Sequence, residues 1–213
     1  PYINFRWQPH ELYLNIVSKT QKERYGSDTI GANKRVVIEY CSPNIAKRLA
    51  FSHIRSTLIG NVLGNIYDFL GFHTERVNFI GDWGTQFASL LAAFELWGQA
   101  EKLTDVPTAM DHLMELYVRF HREVDTNPKY NDKAIDCLKR LEAGDAATKQ
   151  LWDLVRKVSK TAMEQTLDRM HVRFNHVEGE SQYIGQIGRT LDDINKKTGA
   201  RLSEGAWIVD VPG

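Results

Sequence analysis

The chain has 213 residues, 42% of them hydrophobic, with 27 Lys plus Arg against 27 Asp plus Glu. Such a chain buries a substantial core as one domain with room for an inserted subdomain, which excludes a disordered tail. The balanced charge excludes a global basic field for non-specific nucleic-acid binding, so any RNA contact has to be local.

Residues 1–34 read as a lead-in segment, with short apolar stretches (Tyr2-Ile3-Asn4-Phe5, Leu12 to Val17) between polar turns and a closing Gly26-Ser27-Asp28. Arg35-Val36-Val37-Ile38-Glu39-Tyr40 is a β-branched run without helical spacing, which predicts a buried strand. Cys41 to Ala50 is a loop, because Pro43 pushes Ser42 out of helical geometry. Ile54, Leu58, Ile59, Val62, Ile66, Phe69 and Leu70 then recur every three or four residues and predict a helix, with Gly71 as its C-terminal cap. Thr74 to Ile80 predicts a second strand, Gly81-Asp82-Trp83-Gly84 a turn, and Thr85 to Trp97 a second helix. Strand, helix, strand, helix in that order implies a right-handed crossover and a parallel sheet.

From Thr108 the pattern turns helical, with one stripe at Met110, Leu113, Leu116 and Phe120 and another at Leu151, Val155, Val158, Ala162 and Leu167. This block reads as a helical insertion between halves of a sheet. Arg173 to His176 and Ala206 to Val211 read as strands around a helix from about Tyr183 to Thr198. Cys41 and Cys137 are far apart, without Cys or His neighbours at ligand spacing, so no zinc site and no disulfide framework is expected, and a reducing compartment fits. No apolar run approaches the roughly 18 to 20 residues that span a bilayer, so the chain reads as soluble. With Pro1 at one end and Gly213 after a strand-like run at the other, both ends read as cuts through a longer chain.

In a parallel sheet, ligands settle beyond the carboxyl ends of the strands, where loops enter helices. The first such loop is the richest here. Ser52 as N-cap would place His53 and Arg55 in the first helical turn, where free N–H groups and the dipole favour a phosphate. The plainer reading of His53 alone is a capping or packing role. Lys47 and Arg48 alone read as a solvated pair, and Gly60 and Gly64 as permitting close packing.

The run Glu39-Tyr40-Cys41-Ser42-Pro43-Asn44-Ile45-Ala46-Lys47, then His53-Ile54-Arg55-Ser56-Thr57, then Asn78-Phe79-Ile80-Gly81-Asp82-Trp83-Gly84-Thr85-Gln86-Phe87, resembles the nucleotide-binding half of class I arginyl-tRNA synthetases. Gly179-Glu180-Ser181 and Gly205-Ala206-Trp207-Ile208-Val209-Asp210 extend the resemblance over nearly the whole chain. It implies an α/β fold with a Rossmann-like, HUP-type parallel sheet, incomplete here and interrupted by a helical insertion. The implied partition is a lead-in at 1–34, a first nucleotide-binding half at 35–107, the insertion at 108–172, and a truncated continuation at 173–213. The implied activity is ATP-dependent formation of arginyl-adenylate and transfer to tRNA(Arg). ATP would be a substrate accompanied by Mg2+, with no tightly bound cofactor and no protein-held metal. A monomeric, cytoplasmic or organellar enzyme is implied, without a membrane partner.

Ser42, Pro43 and Asn44 fall where the family grips the α-amino and carboxyl groups of arginine, and one amide offers both a donor and an acceptor. Glu39 and Glu180 are candidate carboxylates for the guanidinium, with His53 also placed at the amino acid. Lys47, Ser52, His53 and Arg55 are implied for ATP, with His53 as the catalytic donor to a phosphoryl oxygen. Without the family, Glu39 reads as a surface charge at a strand end and Glu180 as a helix N-terminal carboxylate.

The family usually carries His-x-Gly-His, whereas the aligned residues are Ala50-Phe51-Ser52-His53. Losing the first imidazole removes a phosphate donor worth on the order of 3 to 4 kcal/mol unless Lys47, Arg55 or the Ser52 hydroxyl replaces it. The Lys-Met-Ser-Lys-type loop and an anticodon-reading domain do not occur in this stretch, so this piece alone is not expected to aminoacylate. The alternative reading is a non-catalytic, synthetase-like paralogue that binds arginine or a nucleotide. Trp83 reads as a packing plug rather than a stacking surface, and Asp82 and Gln86 as residues that shape the pocket. Arg156, Lys157 and Lys160 read as a solvated helix face rather than a surface for the tRNA acceptor arm.

Overall fold

The computed structural model describes residues 2–45, 47–204 and 206–210. Strands β1 (Arg35–Glu39), β2 (His73–Ile80) and β3 (His176–Gly179) form a parallel sheet in the order β1-β2-β3, with Arg35 opposite His73 and Val77 opposite His176. Helix α2 (Phe51–Phe69) makes the crossover between β1 and β2. The parallel α/β fold expected from the element order is therefore present.

The face that α2 buries is not its large apolar stripe. Thr57, Gly60 and Gly64 are its buried residues, while Leu58, Ile59, Val62, Leu63 and Ile66 are exposed. A Cβ on Gly60 would stand 2.3 Å from Cγ of Tyr40, and one on Gly64 would stand 2.8 Å from Nε of Arg76. The two glycines thus let the helix backbone lie on the side chains of the sheet, which confirms close packing as their role.

Helix α3 (Thr85–Trp97) is apolar all round, and Phe87 to Ala93 are buried without interruption, as expected of a helix enclosed by others. Those others are α4 (Val106–Thr126), α5 (Lys129–Glu142) and α6 (Ala146–Arg169), which separate β2 from β3 in the chain. Asp105 caps α4 through the amide and hydroxyl of Thr108, and Asp145 caps α6 through those of Thr148. Leu90, Leu91, Leu113, Phe120, Cys137 and Val155 belong to one continuous core, so the helical segment shares its interior with α3.

Several boundaries differ from the sequence reading. The lead-in contains a regular helix, α1 (Pro9–Thr20), started by a proline at its first position and burying no residue. The third strand begins at His176 rather than Arg173. Asn175 precedes it with a main-chain bond to the Arg76 carbonyl, while its side chain accepts the Arg76 N–H at 2.8 Å. After β3 the chain runs through a 3-10 segment, Glu180–Gln186, and α7 (Ile187–Thr198) starts four residues later than expected. The expected strand from Ala206 is shorter: β5 (Ala206–Ile208) pairs antiparallel with β4 (Arg201–Ser203) in a separate hairpin, and Val211 lies outside the described residues. No helix among the described residues is long and apolar enough to cross a membrane.

Candidate active site

Because β1, β2 and β3 are parallel neighbours, the loops leaving their carboxyl ends lie side by side. The first loop is held in an uncommon shape. Cys41 and Ser42 have φ of 76° and 44°, a left-handed conformation that costs of order 1 to 3 kcal/mol per residue unless its surroundings enforce it. The surroundings do so: the Ser42 N–H donates to Oδ1 of Asn78 at 3.1 Å, the Gly81 N–H to the Pro43 carbonyl at 3.1 Å, and the Ile45 N–H to the Gly81 carbonyl at 3.0 Å. Asn78 is fully buried, and its Nδ2 lies 3.4 Å from Sδ of Met163 on α6. Gly81 leaves room for the side chain beside it, since a Cβ there would stand 2.1 Å from Oδ1 of Asn44 and turn that amide away.

A cleft of about 340 Å³ opens between the three loops and α4, with Asn44, Lys47, Trp83, Gln86, Tyr117 and Glu180 on its walls. Nδ2 of Asn44 donates to Oε1 of Gln86 at 2.9 Å, and Nζ of Lys47 lies 4.4 Å from the centre of the Tyr117 ring, a cation–π contact. The Glu180 carboxylate forms no hydrogen bond or ion pair with the described residues, so its charge is available to a ligand. Trp83 is both wall and plug, since its ring meets Trp152 edge-on at 5.8 Å.

Glu39, Ser42, Ser52 and Arg55 line a second depression of about 460 Å³, together with Tyr40 and Gly60. The Ser42 hydroxyl donates to the Glu39 carboxylate there. The residues assigned to arginine and to ATP therefore do not separate by depression: Asn44 and Glu180 share the cleft with Lys47, while Glu39 and Ser42 share theirs with Ser52 and Arg55. Pro43 is buried and serves through its carbonyl.

At the start of α2 the N-cap is Ala50, not Ser52, which lies inside the first turn. Alanine cannot cap with its side chain, and His53 takes over part of that work: its Nδ1 accepts the Ala50 N–H at 3.0 Å. An imidazole that accepts at Nδ1 carries its proton on Nε2, which leaves Nε2–H as the outward donor. The capping role and a phosphate-donor role are thus compatible in one ring.

Arg156 is not a solvated charge, since its Nε pairs at 2.7 Å with the fully buried carboxylate of Asp82. Lys160 makes a 3.8 Å ion pair with Glu164, one turn along the helix. Burial pushes the Cys41 thiol up and pushes that of Cys137 up to about 11, which disfavours the thiolate at both. Among the described residues no group of three or more His, Cys, Asp or Glu side chains is arranged to hold a metal. Sequence reasoning missed Tyr117, whose place in the apolar stripe of α4 hides it. It also missed Asn78 as a loop anchor, although an Asn inside the run Val77-Asn78-Phe79-Ile80 is an unusual strand residue.

A parallel sheet with a polar cleft at its strand ends and an adjoining helix N-terminus is the architecture of a class I tRNA synthetase catalytic domain. The family described as "tRNA synthetases class I (R), catalytic domain" matches residues 15–213, and the chain belongs to it. Relatives include arginine–tRNA ligases: the chain is 38% identical over 212 residues to that of Clostridioides difficile (strain 630), covering 99% of this chain and 37% of that protein. It is 35% identical over 213 residues to that of Streptococcus uberis, covering 99% of this chain and 38% of that protein. The chain thus spans a little over a third of the length of these curated relatives. The crystal structure of arginyl-tRNA synthetase from Plasmodium falciparum shares the fold, with a TM-score of 0.67 at 24% identity over 89% of this chain and 31% of that one.

Proposed function

We propose that the chain forms the arginine- and ATP-binding half of an arginine–tRNA ligase. The complete enzyme would join the arginine carboxylate to the α-phosphorus of ATP, release pyrophosphate, and pass the arginyl group from the adenylate to tRNA(Arg). The observation that carries this reading is the cleft itself, where amides (Asn44, Gln86), an ammonium (Lys47) and a carboxylate without a partner among the described residues (Glu180) face one another across about 340 Å³. A zwitterion with a cationic side chain needs that set of partners, because a guanidinium enters a buried site only against a carboxylate.

In this reading Asn44 binds the amino-acid backbone groups, with Ser42 and Pro43 shaping its loop. Glu180 meets the guanidinium, and Glu39 stands as a second carboxylate at the end of β1. Lys47, Ser52, His53 and Arg55 face the ATP phosphates. Mg2+ arrives with ATP as part of the substrate. The enzyme works as a cytoplasmic monomer, with residues 108–172 as an insertion within its catalytic domain.

The test is pyrophosphate exchange by the complete gene product with arginine and tRNA present. Asn44→Ala leaves ligand groups unpaired at about 1 to 3 kcal/mol each, which is about 5- to 150-fold in arginine KM or kcat/KM, with a smaller effect on ATP. Unchanged arginine kinetics would remove Asn44 from the site. The Ala50-Phe51-Ser52-His53 sequence favours one second reading, a paralogue that binds arginine or nucleotide without catalysis. Wild-type protein without exchange, rescued by Ala50→His, would establish it.

A further inference from the structure

A buried carboxylate that lines neither depression ties the cleft to the helical segment. Asp82 is fully buried, and its acceptors are committed. Oδ1 accepts the Ser181 N–H at 2.9 Å, and Oδ2 accepts the Ser181 hydroxyl at 2.8 Å and Nε of Arg156 at 2.7 Å. Its main-chain carbonyl accepts Nε1 of Trp152 at 2.9 Å. On the far side of the same turn, a Cβ on Gly179 would stand 2.3 Å from Oδ2 of Asp82, a gap only glycine leaves open. Asp82 therefore bears on both residues that flank Glu180.

An ion pair taken out of water is a weak route to stability, because desolvation offsets most of the Coulomb gain, so its value here lies in what it orients. Glu180 has no partner of its own among the described residues to aim it. The direction of its carboxylate depends on the main chain on either side, and that main chain is held by Asp82. Trp152 and Arg156, one turn apart on α6, complete the link by fixing Asp82 from the other side, with the Arg156 guanidinium 5.2 Å from the Trp152 ring centre.

We propose that Asp82 is a positioning residue for arginine recognition: it clamps the Gly179-Glu180-Ser181 turn to α6 so that the Glu180 carboxylate stays aimed into the cleft. The inference rests on the proposed role of Glu180 at the guanidinium. It makes the helical segment part of the specificity apparatus through Arg156 and Trp152.

The readout is discrimination between arginine and citrulline, its neutral isostere, measured on the complete gene product by pyrophosphate exchange and by calorimetric titration with each amino acid. Glu180→Gln sets the scale for loss of the charge. Asp82→Asn keeps shape and removes the clamp charge. It is expected to lower the arginine-to-citrulline ratio by about tenfold or more toward the Glu180→Gln value, raising arginine KM with ATP KM changed less than about twofold. Adding Asp82→Asn to Glu180→Gln should lower the ratio no further, since both act through one group.

If Asp82→Asn does not fold, Ser181→Ala removes the hydroxyl bond alone and Ser181→Thr restores it, with loss and recovery of the ratio expected in turn. A wild-type ratio in Asp82→Asn or Ser181→Ala, with only a lowered Tm, would reduce Asp82 to a core staple and overturn the proposal. A wild-type ratio in Glu180→Gln would overturn the role of Glu180 and this inference with it, whereas a fall there beside intact ratios in the Asp82 and Ser181 variants overturns this inference alone.

Discussion

Gly60→Ala offers a sharp test of how α2 is seated, because one methyl group has two opposing effects. In an exposed helix interior, alanine is better than glycine by about 0.8 to 1 kcal/mol. At position 60 the new Cβ would stand 2.3, 2.5 and 2.6 Å from Cγ, Cβ and Cδ1 of Tyr40. Tyr40 is buried and cannot withdraw, since its ring rests 4.5 Å from that of Phe174. Overpacking costs about 1 to 3 kcal/mol and three contacts this short place it at the upper end, so after the helix gain of about 1 kcal/mol the substitution should come out destabilising by about 2 kcal/mol.

Gly64→Ala meets Nε of Arg76 at 2.8 Å, the end of a flexible side chain, and should be near neutral because Arg76 can shift at some loss to its 2.5 Å pairing with Asp68. Gly188→Ala on α7 meets nothing within 4 Å and should stabilise by up to about 1 kcal/mol. Urea denaturation of the three variants in the complete gene product measures this order directly. A Gly60→Ala protein as stable as the wild type, or more stable than Gly188→Ala, would refute the seating of α2 on Tyr40.

His53→Ala should slow adenylate formation by about 10- to 1,000-fold if Nε2–H donates to the phosphates, and Ala50→His should change the rate by much less; a silent His53→Ala in an active enzyme removes that donor from the site. The Thr148 hydroxyl and amide hold the Asp145 carboxyl below its usual 3.8, so this cap contributes stability above that pH and loses it as pH falls through the lower folded value. Asp145→Asn should therefore lower Tm near neutrality, and the gap from wild type should close as the pH is taken below 3.8. A gap independent of pH would show that the charge of Asp145 plays no part in the cap.

The parallel pairing of the first two strands was readable because β-branched runs, glycine turns and a helix-length spacer each leave a distinct pattern. The orientation of α2 was not, because periodicity finds an apolar stripe without saying which face meets the sheet; here the contact belongs to Thr57, Gly60 and Gly64, whose smallness is the point. Helix α5 escaped notice because its buried positions, Ala134, Cys137 and Leu141, include little bulk. Of the expected site residues, Asn44, Lys47 and Glu180 meet in one cleft, although 136 positions of sequence separate the first from the last. Arg156 was misread as a solvated charge because its partner, Asp82, is 74 residues away, and no local pattern reports such a pair.

Asp82 and Ser181 stand 99 residues apart in the chain, and β2 must wait for β3 across the same interval. Parallel pairing at that separation cannot start from a hairpin, and its loop-closure entropy has to be met before the contacts form. During synthesis at about 5 to 20 residues per second, the first two loops leave the ribosome roughly 5 to 20 seconds before the Glu180 turn. Helices α4 to α6 are made in that interval, and their folding shortens the gap the last strand has to close. The carboxylate in the cleft thus arrives in the same step as the clamp on either side of it. A partly folded chain that lacks β3 carries Asn44 and Lys47 but has no Glu180 in place, so on the proposed role of Glu180 arginine would favour chains in which β3 has paired and would act as a ligand that selects them.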